Sequence, residues 1–301
     1  MTDPGPGRDP VRPTRAARRR GSVERWILAG PGLAFLGFFF LAPIAIVLAT
    51  AFFRKGRFGG VIPDLTFANL DRALDPTFLR VLGVSLAIAG IATLLALAIG
   101  YPAAWAIARL PPRLRTAALI LVVLPFWTSF LIRTYAWVVL LNSQGPLNGA
   151  LVSLGLIGEP LSLLYTPGAV VAGLLYAYLP LMILPLYASI ERVDAELLEA
   201  AANLGAPPRT VFRTVMLPLT LPGILTGCVF VFVPSLGNFV VPELLGGGKL
   251  VMVGNLIRDQ FLKARDWPFG ATLALIVIAF LAVLLVLQAR AARAATTVPD
   301  A

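Results

Sequence analysis

Histidine is missing from all 301 residues, and Cys228 is the single cysteine. These two absences remove a good deal of chemistry. No disulfide can form within the chain, the usual Cys/His zinc sites cannot be built, and imidazole acid–base catalysis is excluded. Charge is also scarce: Asp, Glu, Lys and Arg make up 13% of the residues against 58% hydrophobic ones. A soluble domain carries about a quarter charged residues, so this chain lacks the material for a water-facing skin. There is no Gly-x-Ser-x-Gly elbow and no dinucleotide glycine fingerprint. The run Gly246-Gly247-Gly248-Lys249 lacks the Ser/Thr of a phosphate loop, having Leu250 instead, and its upstream spacing is wrong. Any ATP must therefore be bound by another chain. No cofactor and no metal are expected.

Apolar residues are abundant and gathered in blocks of roughly twenty, the length that crosses a bilayer core at about 1.5 Å per residue. The expectation is an all-α, polytopic integral membrane protein with six transmembrane helices. Residues 1–25, rich in Pro, Gly and Arg, read as a disordered basic tail. Residues 26–53 form a first span too long for a signal-peptide core. Further spans are expected over about 81–108, 117–141, 167–190, 219–241 and 270–289, with a short tail over 290–301. Prolines fall inside or at the ends of most of them, including Pro43, Pro102, Pro125, Pro180, Pro185 and Pro234.

The net charge of +10 suits anionic lipid headgroups better than nucleic acid. With both termini in the cytoplasm, internal segments hold 15 Lys/Arg and external ones 9, with Arg133 inside a span. Arg54, Lys55 and Arg57 oppose this orientation. The cluster before the first span, and Arg109, Arg113 and Arg115 after the second, favour it.

The polar stretch between the fourth and fifth spans, about 191–218, reads as two short helices with a break. Asp194 suits a cap, Gly205 a left-handed helix end, and Pro207 and Pro208 the start of a second helix. Within it, Glu199-Ala200-Ala201, three residues, Gly205, nine residues, then Val215-Met216-Leu217-Pro218 resembles the cytoplasmic signature of ABC importer permeases. That pattern has Ile where this chain has Val215. The resemblance implies the type I importer permease fold, with a permease core over 77–289. It also implies that the loop is a coupling helix docking on an ATPase subunit. Segment 125–135 (Pro-Phe-Trp-Thr-Ser-Phe-Leu-Ile-Arg-Thr-Tyr), Pro242-Glu243-Leu244-Leu245-Gly246-Gly247, Gly254-Asn255 and Arg265-Asp266-Trp267-Pro268-Phe269-Gly270 further resemble spermidine/putrescine importer permeases.

That likeness implies a permease subunit, not itself an enzyme, in a bacterial inner membrane. Its implied partners are two ABC ATPase subunits, a second related permease and an extracytoplasmic solute-binding protein. The implied cargo is a polyamine or related organic cation, although relatives of this type also carry opines, thiamine, iron and phosphonates. Trp127, Arg133, Tyr135, Asn238, Phe239 and Glu243 are candidates to line the translocation path, since polar groups within spans face water or the bundle interior. Aromatic faces attract ammonium groups. Arg133 opposes a cation's passage unless an acid neutralises it, and Glu243, Asp259 and Asp266 are the acids considered for that role. An ATP-independent transporter or channel is the alternative; it calls for acids buried in spans, and these spans contain almost none.

Overall fold

Proline placement explains where many of the helices begin. The computed structural model describes residues 15–296, with side-chain detail from Gly30 to Ala291. Helix α1 (Arg15–Ala51) is followed by a two-stranded antiparallel hairpin, β1 (Arg54–Lys55) and β2 (Val61–Ile62), and by the short α2 (Ala68–Ala73). Then come α3 (Pro76–Ala108), α4 (Pro112–Val123), a 3₁₀ turn over Leu124–Trp127, α5 (Phe130–Leu141) and α6 (Pro146–Ser153). The remainder is α7 (Pro167–Ile190), α8 (Ala195–Asn203), α9 (Pro208–Val211), a π-helical turn over Phe212–Met216, α10 (Leu217–Gly237), α11 (Val240–Gly246), α12 (Val253–Leu262) and α13 (Trp267–Thr296). Helices α3, α4, α6, α7 and α9 all open on proline, whose missing N–H costs nothing at a first helical position. Side-chain caps reinforce two of these starts. Asp75 accepts from the Thr77 amide at 2.8 Å, and Thr166 accepts from the Ala169 amide at 3.2 Å.

Five stretches are long and apolar enough to cross a membrane: Gly30–Ala51, Pro76–Ala108, Pro167–Ile190, Pro208–Gly237 and Trp267–Ala291. The sixth is broken. Pro112–Trp127 and Phe130–Ser153 meet at an angle of 91°, which corrects the expected unbroken span over 117–141. Thr128 is extended there, with ψ 151°, and its amide and hydroxyl both turn back onto the Pro125 carbonyl. Within these arms neither α4 nor α5 alone, each of 12 residues and about 18 Å, reaches across a bilayer core of about 30 Å.

At the N-terminus α1 is already helical from Arg15, inside the stretch read as a tail; arginine is a good helix former, and no proline intervenes before Pro31. Residues 1–14 of that tail, and 297–301 at the other end, lie outside the described residues.

The core sits where α7 packs along both α3 and α10. Met182, Leu186, Met216, Ile224 and Val231 form one buried cluster with Ala96 and Ala104. Ile88, Leu174, Val241 and Leu245 form another, joining α3 and α7 to α11. Glycines make this approach possible. A Cβ on Gly223 would stand 2.8 Å from the Pro185 carbonyl oxygen, and one on Gly227 would stand 2.6 Å from Met182 Sδ. In lipid the tails are as apolar as leucine, so such close van der Waals fit holds the helices together where the hydrophobic effect does not. Phe35, Phe38 and Phe40 of α1 are more than half exposed, as a lipid-facing surface requires.

Candidate functional site

Two regions carry the residues singled out from the sequence. The first is the loop between α7 and α10. Asp194 Oδ1 accepts from the Glu196 amide at 3.0 Å, satisfying one of the free donors at the start of α8. At the other end Gly205, with φ 78°, adopts the left-handed conformation. Its amide bonds to the Ala202 carbonyl, and the Ala206 amide to the Ala201 carbonyl, the paired bonds of a Schellman ending. Pro207 and Pro208 then restart the helix.

This loop stands exposed and carries bare apolar groups. Leu204 is 89% exposed and Leu197, two turns earlier on the same face, 50% exposed. Ala200 and Ala201 lie between them, so backbone can be approached closely there. Glu199 is exposed on a different side of α8. Val215 is half-buried, Leu217 and Pro218 are exposed, and Met216 between them is buried in the α3–α7–α10 cluster. The base of the loop is tied to α4 by Arg115, whose guanidinium donates to Glu191 at 2.8 Å.

The second region is a polar and aromatic seam that runs from the middle of α7 to the far end of α10. Arg133 on α5 lies 5.4 Å from the Phe126 ring centre and 5.9 Å from that of Phe130. Phe130 stacks at 6.5 Å on Tyr178 of α7. The Tyr178 hydroxyl accepts from Asn238 Nδ2 at 2.7 Å. Asn238 Oδ1 in turn accepts from the Val241 amide at 2.9 Å, so this buried side chain ends α10 and caps α11. Beyond it, the Phe239 carbonyl accepts from Asn255 at 2.8 Å, while Arg258 lies 5.4 Å from the Phe239 ring centre. Arg258 pairs with both Glu243 and Asp259, and Lys263 also reaches Asp259, at 2.9 Å. Burial pushes the Asp259 carboxyl up, but the hydrogen bonds from Lys263 and Arg258 outweigh it and hold the group below the usual carboxylate range.

The seam thus joins Arg133, Asn238, Phe239 and Glu243 through Tyr178 and Arg258, neither of which the sequence reading selected. Both sit in unremarkable surroundings along the chain, Tyr178 within an apolar span and Arg258 in an amphipathic helix. Trp127 and Tyr135 stand apart, 78% and 60% exposed. The acids considered as counter-charges to Arg133 are engaged elsewhere. Glu243 and Asp259 neutralise Arg258. Asp266 is buried and held by Arg72 at 2.8 Å and Lys55 at 3.6 Å. The reason is proximity: α12 lies against α11, and the hairpin and α2 lie against the start of α13. Arg133 keeps two buried nitrogens, Nε and Nη1, without hydrogen-bond partners among the described residues. No group of three or more Cys, Asp or Glu is placed to hold a metal ion among those residues.

Comparison with known proteins agrees with this arrangement of spans and loop. A permease protein of the spermidine/putrescine transport system, PotB of Escherichia coli strain K12, is 42% identical over 261 residues, 87% of this chain and 95% of its own length. The PotB of Haemophilus influenzae is 43% identical over 258 residues, 86% of this chain and 90% of its own. Among solved structures, a bacterial ABC transporter involved in import of the acidic polysaccharide alginate superposes with a TM-score of 0.74. It covers 93% of this chain and 100% of its own at 18% identity, a likeness of fold. Residues 16–296 match the family described as the binding-protein-dependent transport system inner membrane component. The chain belongs to that family: it is a polytopic inner-membrane permease of the type I ABC importer fold.

Proposed function

We propose that this permease subunit forms the translocation path of an ATP-driven importer for a polyamine, spermidine or putrescine. The observation that carries the mechanical part is the exposed α8–α9 loop with its bare Leu197 and Leu204. Exposed leucines on a short loop helix favour contact with another protein. The loop joins α7 directly to α10, two spans that pack along each other. A partner gripping the loop therefore acts on the centre of the bundle. The partner is a pair of ABC ATPases on the cytoplasmic side, where both termini also lie, and a second related permease completes the bundle. ATP hydrolysis belongs to the ATPase chains, and an extracytoplasmic binding protein delivers the solute. Nucleotide-driven closure of the ATPases draws the loops together and shifts a two-state bundle between inward and outward openings. The polyamine assignment is supported by PotB, with more than two-fifths identity across nearly all of both chains.

The seam residues Asn238, Phe239 and Glu243, with Arg133, Trp127 and Tyr135, are the groups assigned to the path. Uptake of labelled spermidine by proteoliposomes containing the whole assembly tests the reading. Accumulation should require ATP and binding protein and should be blocked by vanadate. Uptake indifferent to vanadate would return the chain to the ATP-independent class. An assembly that hydrolyses ATP for another solute and ignores spermidine would retain the importer and remove the cargo.

A further inference from the structure

A cleft of about 770 Å³ opens between the end of α3 and the α8–α9 loop. Three arginines line it: Arg109 from α3, and Arg209 and Arg213, four apart on the helix that continues into α10. None of the three has a carboxylate within salt-bridge distance among the described residues. Nearby Arg115, by contrast, is paired with Glu191. Three like charges around one volume raise its potential, and an anion lowers it. Guanidinium groups present a planar fork that fits phosphate oxygens in particular.

The walls are apolar. Phe212 and Met216 contribute to them, and the Arg109 guanidinium lies 3.9 Å from the centre of the Trp105 ring. Trp105 is near the end of a span, where tryptophan marks the membrane–water boundary. Cationic rim, apolar wall and boundary position together match a phospholipid: phosphate at the rim, first acyl carbons against the wall. A docked protein is served by a different face. Leu198 and Ala202, one turn apart on α8, line the cleft, whereas Leu197 and Leu204 stand in solvent.

We propose that this cleft is a phosphate-binding site that takes the headgroup of an anionic phospholipid. The proposal concerns the lipid boundary and is independent of which solute crosses.

The test uses the whole assembly, with its ATPases, in nanodiscs of phosphatidylcholine containing brominated phosphatidylglycerol or, as control, brominated phosphatidylcholine. Tryptophan quenching is read in the native chain and in W105F, the difference reporting Trp105 alone. Quenching should be stronger with phosphatidylglycerol and should fall to the control level in R109Q/R209Q/R213Q. Each arginine removed should weaken the apparent affinity roughly five-fold. Should the triple variant fail to insert, R109Q alone carries the test, because Arg109 lies at the end of α3 and stacks on Trp105.

Equal quenching by the two lipids in the native chain would overturn the proposal. So would displacement of the phosphatidylglycerol signal by millimolar inorganic phosphate at matched ionic strength, which would assign the cleft to a soluble anion. Loss of bound ATPase in the triple variant with lipid quenching intact would assign the arginines to the protein partner instead. None of these readouts depends on transport, so a failed spermidine assay leaves the result standing.

Discussion

Gly205 illustrates what a single residue decides. Its left-handed backbone, φ 78°, costs an ordinary residue about 1–2 kcal/mol, and a β-branched one is especially ill-suited to it. G205V should therefore insert into the membrane at a normal level but misdirect α8. Co-purification of the ATPases, or stimulation of their activity by loaded binding protein, should drop sharply; unchanged coupling would remove the loop from its assigned role. Asp266 makes a different demand. It is buried, with Arg72, Lys55 and the Phe269 amide around it. D266N leaves two half-exposed cations short of a partner, and a loss of about 2 kcal/mol is expected. That corresponds to a drop of several degrees in thermal midpoint.

Asp259 adds a pH dependence. Its folded carboxyl titrates below the ordinary carboxylate range, so its contribution to stability is complete above that range and is lost as pH falls through the depressed folded value. Protection factors for amide exchange in α12, taken relative to unprotected amides at the same pH, should fall at acid pH in the native chain. In D259N that extra acid sensitivity should vanish.

These residues also show what was legible. Asp194, Gly205 and Pro208 announce a helix, its end and the next start, because capping and turn chemistry are local along the chain. The contacts that build the seam and hold Asp266 are not local. Asn238 meets Tyr178 across sixty positions, and Arg72 meets Asp266 across 194. No spacing rule encodes such meetings; they exist once α7, α10 and α13 are packed. Glu243 was legible as an acid at a span's end but not as a group already claimed by Arg258.

Among elements, long apolar periods identified five of the spans, four of them with ends within five residues of those observed, while the span expected over 219–241 begins eleven residues earlier, at Pro208. The broken third span escaped because hydropathy averages over a window, while a turn needs only a few residues. Pro125 was visible, yet proline inside Pro76–Ala108 and Pro167–Ile190 leaves those helices continuous. What distinguishes the break is the doubled bonding of Thr128 back to Pro125. The contact between α7 and α10 gives an element-level prediction. In G223A the new methyl meets the Pro185 carbonyl and the Ser189 side chain, and the backbone oxygen has little freedom to retreat. Overpacking of this kind costs about 1–3 kcal/mol. The variant should lower thermal stability and ATP-driven uptake together, whereas G205V, strained in an exposed loop outside the packed core, should lose coupling out of proportion to stability. A G223A assembly as stable as the parent would show that α7 and α10 have slack at this level.

At the scale of the whole molecule, the chain is a bundle with an exposed loop, the proposed attachment for a motor, between α7 and α10, and a charged seam running from the middle of α7 to the far end of α10. The connection between attachment and bundle contains the π-helical turn, Phe212–Met216. Such a turn holds one residue more than the regular spiral would, usually where function requires it. The nine positions separating Gly205 from Val215 run across it, so their number sets the clocking of the loop relative to α10. Deleting Thr210 from α9, with the wide turn kept, would take one residue out of the regular spiral above it. The span would remain greasy and intact, yet everything upstream would swing by about 100°. The gap length in the signature is then a phase setting, and a chain one residue shorter would offer its leucines to the wrong side.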